Sequence, residues 1–408
     1  MRTSVFILAI SLLSIFQINI LSACTTFCIN TEDELVFGRN YDFMIGYGIV
    51  FVNKKNVIKT AFTTGNNPAE WVSKFGSVTF NQYGREFPTG GINEAGLVVE
   101  LMWLDDTKYP VEDSRATTGG VLQWIQYQLD NCETVQEVID SDKDIRIPNR
   151  AVPIHFLITD KYGSTASIEF LEGKLVSHSG ETLGHPVLTN DTYDRSEEYF
   201  KSNFNTGGIQ SFDPDKSSLN RFAMTCSMVK SYNKAADGNA VDFSFKILKV
   251  VSQGNNTKWS IVYDIKNMKV YFKTFDNDKM KEIDITLLDF NCITEVKMLD
   301  INSDIEGNVN NSFIDYTYES NRKLIEDSYS GVEFLKGITN EEKDQTARFP
   351  ENSKCRSKSQ LEYEDSKSET KITRTNEPPV NTIYILTGLV TAAIVIAGFK
   401  LKKEKRNT

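Results

Sequence analysis

The chain has 408 residues, 40% of them apolar and 25% charged. That is globular composition, and it excludes a collagen-like, wholly disordered or polytopic membrane protein. The formal charge is −10, and the last nine residues, Lys400 to Thr408, hold five Lys/Arg and one Glu, so the rest carries −14, a poor match for nucleic acid.

In chain order, Arg2 precedes an apolar run from Val5 to Leu21 and the small residues Ser22 and Ala23, which predicts a secretory signal peptide over 1–23. From residue 24 to about 331 the pattern is strand-rich. Alternating or β-branched runs predict strands at Thr25–Ile29, Leu35–Phe43, Ile49–Asn53, Leu97–Trp103, Ile154–Thr159, Ser167–Leu171, Ile261–Asp264 and Lys269–Thr274. A helical stripe from Gly120 to Asp140, with Thr117 or Thr118 as cap, predicts a long helix, and Tyr193–Phe200 and Val241–Val251 fit further ones. This mixture is an α+β body. Residues 332–381, dominated from Thr339 to Val380 by polar and charged residues and ending near Pro378 and Pro379, read as a structureless stalk that cannot bury enough apolar surface to order itself. Thr382–Phe399 has 18 uncharged residues, about 27 Å of helix at about 1.5 Å per residue and enough to cross a bilayer core. The basic tail 400–408 marks its cytoplasmic end. The expected arrangement is an extracytoplasmic body on a single C-terminal span. A buried core helix or a removable lipid-anchor signal are the competing readings of that run.

Six cysteines, at 24, 28, 132, 226, 292 and 355, would pair in an oxidising compartment. Cys24 is different. Cleavage after Ala23 would make it the first residue, with a thiol and an α-amine on one side chain and backbone. An α-amine has a pKa near 8, so part of it is unprotonated at neutral pH and can accept the thiol proton. Nucleophile and base then arrive together. His155, His178 and His185 are not needed for this, although a Cys/His dyad is an alternative. So is lipidation, because Leu21-Ser22-Ala23-Cys24 fits a lipoprotein signal, and so is a disulfide, though not to Cys28, which lies about 13 Å away along a strand. A lipidated or bridged Cys24 would leave a surface binding or adhesive ectodomain without catalysis.

The residues that follow resemble the choloylglycine hydrolase and penicillin V acylase family of N-terminal-nucleophile hydrolases. The resemblance rests on Cys24-Thr25-Thr26-Phe27, Phe37-Gly38-Arg39-Asn40-Tyr41-Asp42, Gly91-Ile92-Asn93-Glu94-Ala95-Gly96-Leu97, Val187-Leu188-Thr189-Asn190 and Asn220-Arg221-Phe222, in that order. It implies a four-layer αββα sandwich in which Cys24 opens an inner strand, with homo-oligomers common among relatives. It also implies hydrolysis of linear, non-peptide carboxamides in small N-acyl substrates, without metal or organic cofactor. Position by position it makes Cys24 the nucleophile, puts Arg39 beside the sulfur, has Asp42 hold the α-amine, aims the Asn190 amide at the oxyanion, and has Arg221 support charge nearby. Arg39 and Asp42 are three apart and would face opposite ways on a straight strand, so the strand is expected to bend or end near Asn40. Arg39 also stands one residue closer to the cysteine than in the usual family pattern, implying a shorter first turn.

A family position that usually carries Asn or Tyr aligns with Trp103. Its backbone N–H can still serve the oxyanion. Its side chain, with Phe43, Met44 and Tyr47, would form an apolar, aromatic acyl pocket, core packing being the competing reading of Trp103. Outside the resemblance, Arg39 and Asp42 would be read as a surface ion pair and Arg221 as a solvated charge. Asn190, Asn255 and Asn310 each begin a glycosylation sequon, and a glycan on Asn190 would exclude it from a pocket.

Overall fold

The structure is a computed structural model that describes residues 23–63, 65–204 and 216–356. The expected signal peptide up to residue 22, the span 382–399 and the basic tail lie outside the described residues. Among the described residues no helix is long and apolar enough to cross a membrane.

The chain opens with a hairpin of β1 (Thr25–Asn30) and β2 (Leu35–Asp42), followed by β3 (Ile49–Asn53) and the short pair β4 (Val57–Thr60) and β5 (Glu70–Val72). A meander follows: β6 (Ser77–Asn81), β7 (Pro88–Asn93) and β8 (Val98–Trp103). After β9 (Ala116–Thr117) come α1 (Val121–Asn131) and α2 (Val135–Asp140), and β10 (Ile145–Arg146) pairs back on β9. A second meander holds β11 (Ile154–Thr159), β12 (Thr165–Leu171) and β13 (Lys174–Ser179), and β14 (Val187–Leu188) leads into α3 (Tyr193–Phe204). Three helices come next, α4 (Ser218–Ser231), α5 (Lys234–Asp237) and α6 (Ala240–Val250), then β15 (Thr257–Asp264), β16 (Lys269–Thr274) and β17 (Lys281–Asp284). The described chain closes with β18 (Lys297–Asp300), β19 (Gly307–Asn308), β20 (Ile314–Asp315), α7 (Tyr318–Gly331), α8 (Asn340–Arg348) and β21 (Lys354–Cys355).

These strands form two large sheets, β14-β1-β2-β15-β16-β17-β19 and β13-β12-β11-β8-β7-β6-β3-β18-β20. The sheets face each other, as Phe80 of β6 shows by meeting Tyr263 of β15 and Phe272 of β16 at ring-centroid distances of 6.2 and 5.4 Å. Helices α4 and α6 cover the first sheet and α1 covers the second, giving helix, sheet, sheet and helix in succession. This layering explains the patterns of the central strands. β2 is buried at every position, so its sequence does not alternate, because one face meets α6 and the other the second sheet.

The expected long helix is two. Asn93 donates through Nδ2 to the carbonyls of Leu129 and Cys132 at 2.9 and 2.8 Å, satisfying the C-terminal end of α1. Thr134 then starts α2 with a capping box against Glu137. Neither Thr117 nor Thr118 caps α1. Thr117 belongs to β9, and Gly120, at φ 137°, precedes the helix without a side-chain cap. Nor is 332–381 a stalk throughout. Thr339 and Glu342 form a capping box that starts α8, Thr346 and Ala347 are buried, and β21 pairs with β4. A disulfide between Cys292 and Cys355, Cα atoms 5.3 Å apart, fastens this segment to the body. Composition misled here because only one face of α8 has to be apolar once α7 lies beside it.

Candidate active site

Cys24 immediately precedes β1 and is 1% exposed. Pairing of β1 with β2 sets Thr25 opposite Asn40 and Thr26 opposite Arg39, and the Cys24 thiol lies 3.9 Å from the carbonyl oxygen of Asp42. On the other side of β1, Thr26 pairs with Leu188 of β14, which brings Asn190 to the same end of the sheet. The first turn of α4 closes the site. Ser218 Oγ accepts from the Asn190 backbone N–H at 2.9 Å. Arg221 donates through Nη1 to the Cys24 carbonyl at 2.6 Å and Thr25 Oγ1 at 2.8 Å, through Nη2 to Asn190 Oδ1 at 2.9 Å, and through Nε to the Lys216 carbonyl at 3.1 Å. Arg221 thus ties cysteine and amide together.

Strand β2 does not end near Asn40. It runs through Asp42, and the irregularity falls on its neighbour, where the register slips between Thr257 and Trp259 of β15. This bulge sets Thr257 opposite Asp42. Thr257 Oγ1 donates to Asp42 Oδ1 at 2.5 Å, while Asp42 Oδ2 is buried without a partner among the described residues. Burial pushes the Asp42 carboxyl up to about 6, against the pull of Arg221, Thr257 and Arg39. Burial likewise raises the Cys24 thiol, which Arg39 and Arg221 draw down and Asp42 raises further.

Arg39 and Asp42 are both completely buried and form no surface ion pair. Arg39 pairs with Glu100 and donates to the carbonyls of Thr89 and Leu101 at 3.1 and 3.4 Å. Its Nε has no partner among the described residues, and its guanidinium lies 4.8 Å from the Tyr41 ring centroid. Arg221, at 1% exposure, is no solvated charge either.

The residues expected to form an acyl pocket divide. Phe43 is a core residue, stacked at 5.7 Å on Tyr41, which stacks at 4.5 Å on Trp259. Met44 and Tyr47 are exposed on the loop after β2. Trp103 is half-buried at the end of β8 and donates through Nε1 to Asp105 at 2.8 Å. Its carbonyl accepts from Asn190 Nδ2 at 2.8 Å, which ties the end of β8 to the amide expected at the oxyanion. With both ends of its amide engaged, Asn190 is no free sequon residue. Asn310 is held in the same way, exchanging hydrogen bonds with the backbone of Asp284. The Gly91–Leu97 motif proves to be architecture. Asn93 Oδ1 accepts from the N–H groups of Ala95 and Leu97 at 3.1 and 3.0 Å and so shapes the turn between β7 and β8.

Cys24 is a free thiol, as are Cys28, Cys132 and Cys226, all buried. Sequence reasoning missed Thr257, Glu100 and Tyr263. Glu100 carried a signal, since a lone carboxylate inside Val98-Val99-Glu100-Leu101-Met102-Trp103 must be buried on one face or the other and needs a partner.

Comparison with known proteins agrees with this arrangement. The profile of the family described as linear amide C-N hydrolases, choloylglycine hydrolase family, matches residues 24–229. A penicillin V acylase of Pectobacterium atrosepticum is 26% identical over 273 residues, covering 57% of this chain and 72% of that protein. The structure of a penicillin V acylase from Agrobacterium tumefaciens superposes with a TM-score of 0.64 at 26% identity, over 72% of this chain and 98% of that one. A mutant conjugated bile acid hydrolase from Clostridium perfringens shares the fold with a TM-score of 0.56 at 19% identity, over 68% and 96% of the two chains.

Proposed function

The chain belongs to the choloylglycine hydrolase family and is a hydrolase of linear amide C–N bonds, of the bile-salt-hydrolase and penicillin-acylase type; from that premise we propose that Cys24 is its nucleophile and, once the residues ahead of it are removed, its own base. The observation that carries this reading is the unpartnered Asp42 Oδ2, a buried acceptor in a residue that already touches Cys24. Such an oxygen is costly unless a cation meets it. The α-ammonium of a freed Cys24 is the cation the site lacks while Ala23 remains attached. Ala23 is itself buried, so the bond ahead of Cys24 is cut before the body closes or from within the site.

In the first step the Cys24 thiol gives its proton to its own α-amine and the sulfur attacks the substrate carbonyl. Arg221, donating to Asn190 Oδ1, fixes the orientation of that amide and leaves Nδ2 as its donor end. One N–H of Nδ2 goes to the Trp103 carbonyl and the other is available to the oxyanion, a contact worth about 3 kcal/mol of barrier. The amine leaves with the proton held by the α-amine. Water then resolves the thioester with the same amine as base.

The enzyme works outside the cytoplasm, held by the span 382–399 and a polar tether beyond residue 356. The Cys292–Cys355 disulfide, which needs an oxidising compartment, supports that placement. Met44, Tyr47 and Trp103 are the residues proposed to meet the acyl group.

Intact mass and N-terminal sequencing of the mature protein should give a chain that begins at residue 24 with a free thiol. Cys24→Ala should abolish amine release from a panel of bile conjugates, phenoxyacetyl amides, acyl lactones and fatty-acyl amino acids without changing the melting temperature. A blocked or longer terminus in active material, or hydrolysis that survives Cys24→Ala, overturns the assignment.

A further inference from the structure

Glu100 has no role in that reaction, yet it reaches the site from the opposite sheet. It stands in the middle of β8, completely buried. Its carboxylate accepts from Arg39 of β2 and, at 2.5 Å, from the Tyr263 hydroxyl of β15, so the contact bridges the two sheets. Across the β7–β8 ladder its partner is Gly90, and a Cβ there would overlap the carboxylate. Bare backbone makes the room.

Arg39 therefore acts on two groups that can be anionic, the Glu100 carboxylate it pairs with and the Cys24 thiol it draws down. When Glu100 and Asp42 are both ionised, their carboxylates match the guanidiniums of Arg39 and Arg221, and the four charges sum to zero. The thiolate and ammonium of Cys24 then balance each other. The titratable and charged groups acting on Cys24 are Arg39, Tyr41 and Asp42 from β2 and Arg221 from α4. Those acting on Glu100 are Arg39 and Tyr263.

We propose that Glu100 is a positioning residue, which anchors Arg39 between the sheets and, by sharing that guanidinium with the sulfur, keeps the Cys24 thiol less acidic than Arg39 alone would make it. A thiolate loses intrinsic nucleophilicity as its parent thiol becomes more acidic, so the shared cation favours a more reactive sulfur. Burial pushes Glu100 up to about 7, against the pull of Arg39 and Tyr263, which leaves the counter-charge present at alkaline pH and withdraws it in acid.

This inference rests on Cys24 being the nucleophile, and the test separates the two. The pH dependence of iodoacetamide alkylation at Cys24, read by peptide mass, is measured on the mature enzyme alongside the pH profile of kcat/KM for the parent, Glu100→Gln, Glu100→Asp and Tyr263→Phe. Glu100→Gln should lower the alkylation pKa by about one unit or more, move the acid limb of kcat/KM the same way and reduce the plateau. Glu100→Asp, which keeps the charge, should stay near the parent pKa, and Tyr263→Phe should shift it in the same direction by less. Lost activity in Glu100→Gln with an unmoved alkylation pKa overturns the proposal. Should Glu100→Gln not fold, an unmoved pKa in Tyr263→Phe overturns it instead. Alkylation of Cys24 that leaves hydrolysis intact would refute the nucleophile itself and not the role of Glu100.

Discussion

Around Cys24, charges are buried with donors and acceptors left over. Arg39 keeps a free Nε and Asp42 a free Oδ2, both out of contact with water and with any described partner. The segment from Val332 to Arg356 is built the other way. Its ion pairs join it to α7, exposed Asp344 with Arg322 at 2.5 Å and buried Lys343 with Glu326 at 2.9 Å, its helix is capped, and a disulfide fastens its end. The difference separates two uses of polar residues: the site gathers unsatisfied groups around the cysteine, where a substrate can complete them, while the C-terminal segment leaves Glu342 Oε1 alone unpaired among its described residues, in its own helix and far from the nucleophile, and contributes stability. Mutations in the first should move chemistry, and mutations in the second should move only the unfolding free energy.

Arg221→Leu is the strongest test of that division. It strips donors from the Cys24 carbonyl, Thr25 and Asn190 at once and leaves Asp42 with less compensation, so hydrolysis should fall by at least about 10²-fold and stability by about 3–5 kcal/mol, measured by steady-state kinetics and urea unfolding. A smaller effect on both would show that the site tolerates the loss of its central clamp. Cys355→Ser opens a loop of 63 residues and should cost up to about 4 kcal/mol in the chain-entropy estimate, with kcat/KM unchanged. A change in kcat/KM would show that the segment reaches the site after all.

Asp42 sharpens the comparison through pH. In a form that retains Ala23 its carboxyl is raised from 3.8 to about 6, so the folded state binds that proton more tightly than the unfolded one. The stability it contributes is full below about pH 4 and is lost as pH rises through about 6, about 3 kcal/mol in all. Mature enzyme, with an ammonium beside the carboxylate, should lose that slope, and equal slopes in the two forms would mean that the freed terminus does not meet Asp42. The smallest effect belongs to Thr339→Ala, which removes the cap of α8 and should cost about 1 kcal/mol in thermal unfolding with no kinetic change.

Local pattern made much of this molecule legible. The strands Ile49–Asn53, Ile154–Thr159 and Lys269–Thr274 stand where alternation and β-branching put them, and Tyr193 and Val241 fall in helices as expected. Family motifs singled out Cys24, Asp42, Asn190 and Arg221, which the fold links by direct contact or through Arg221. The motif at Gly91–Leu97 was equally visible, but nothing local said that Asn93 would spend its side chain on ending α1.

What the residues determined unaided is whatever depends on near neighbours: strand period, helix stripes, and a cysteine placed directly behind an apolar run. Tertiary structure decided the rest. The partner of Arg39 lies 61 positions away on another sheet, Phe43 turned into the core instead of a pocket, and a polar tail became a docked helix. Each of these outcomes depends on which surfaces meet when the two sheets close, because a buried charge or a helix face is stabilised by what packs against it and not by what precedes it in the chain.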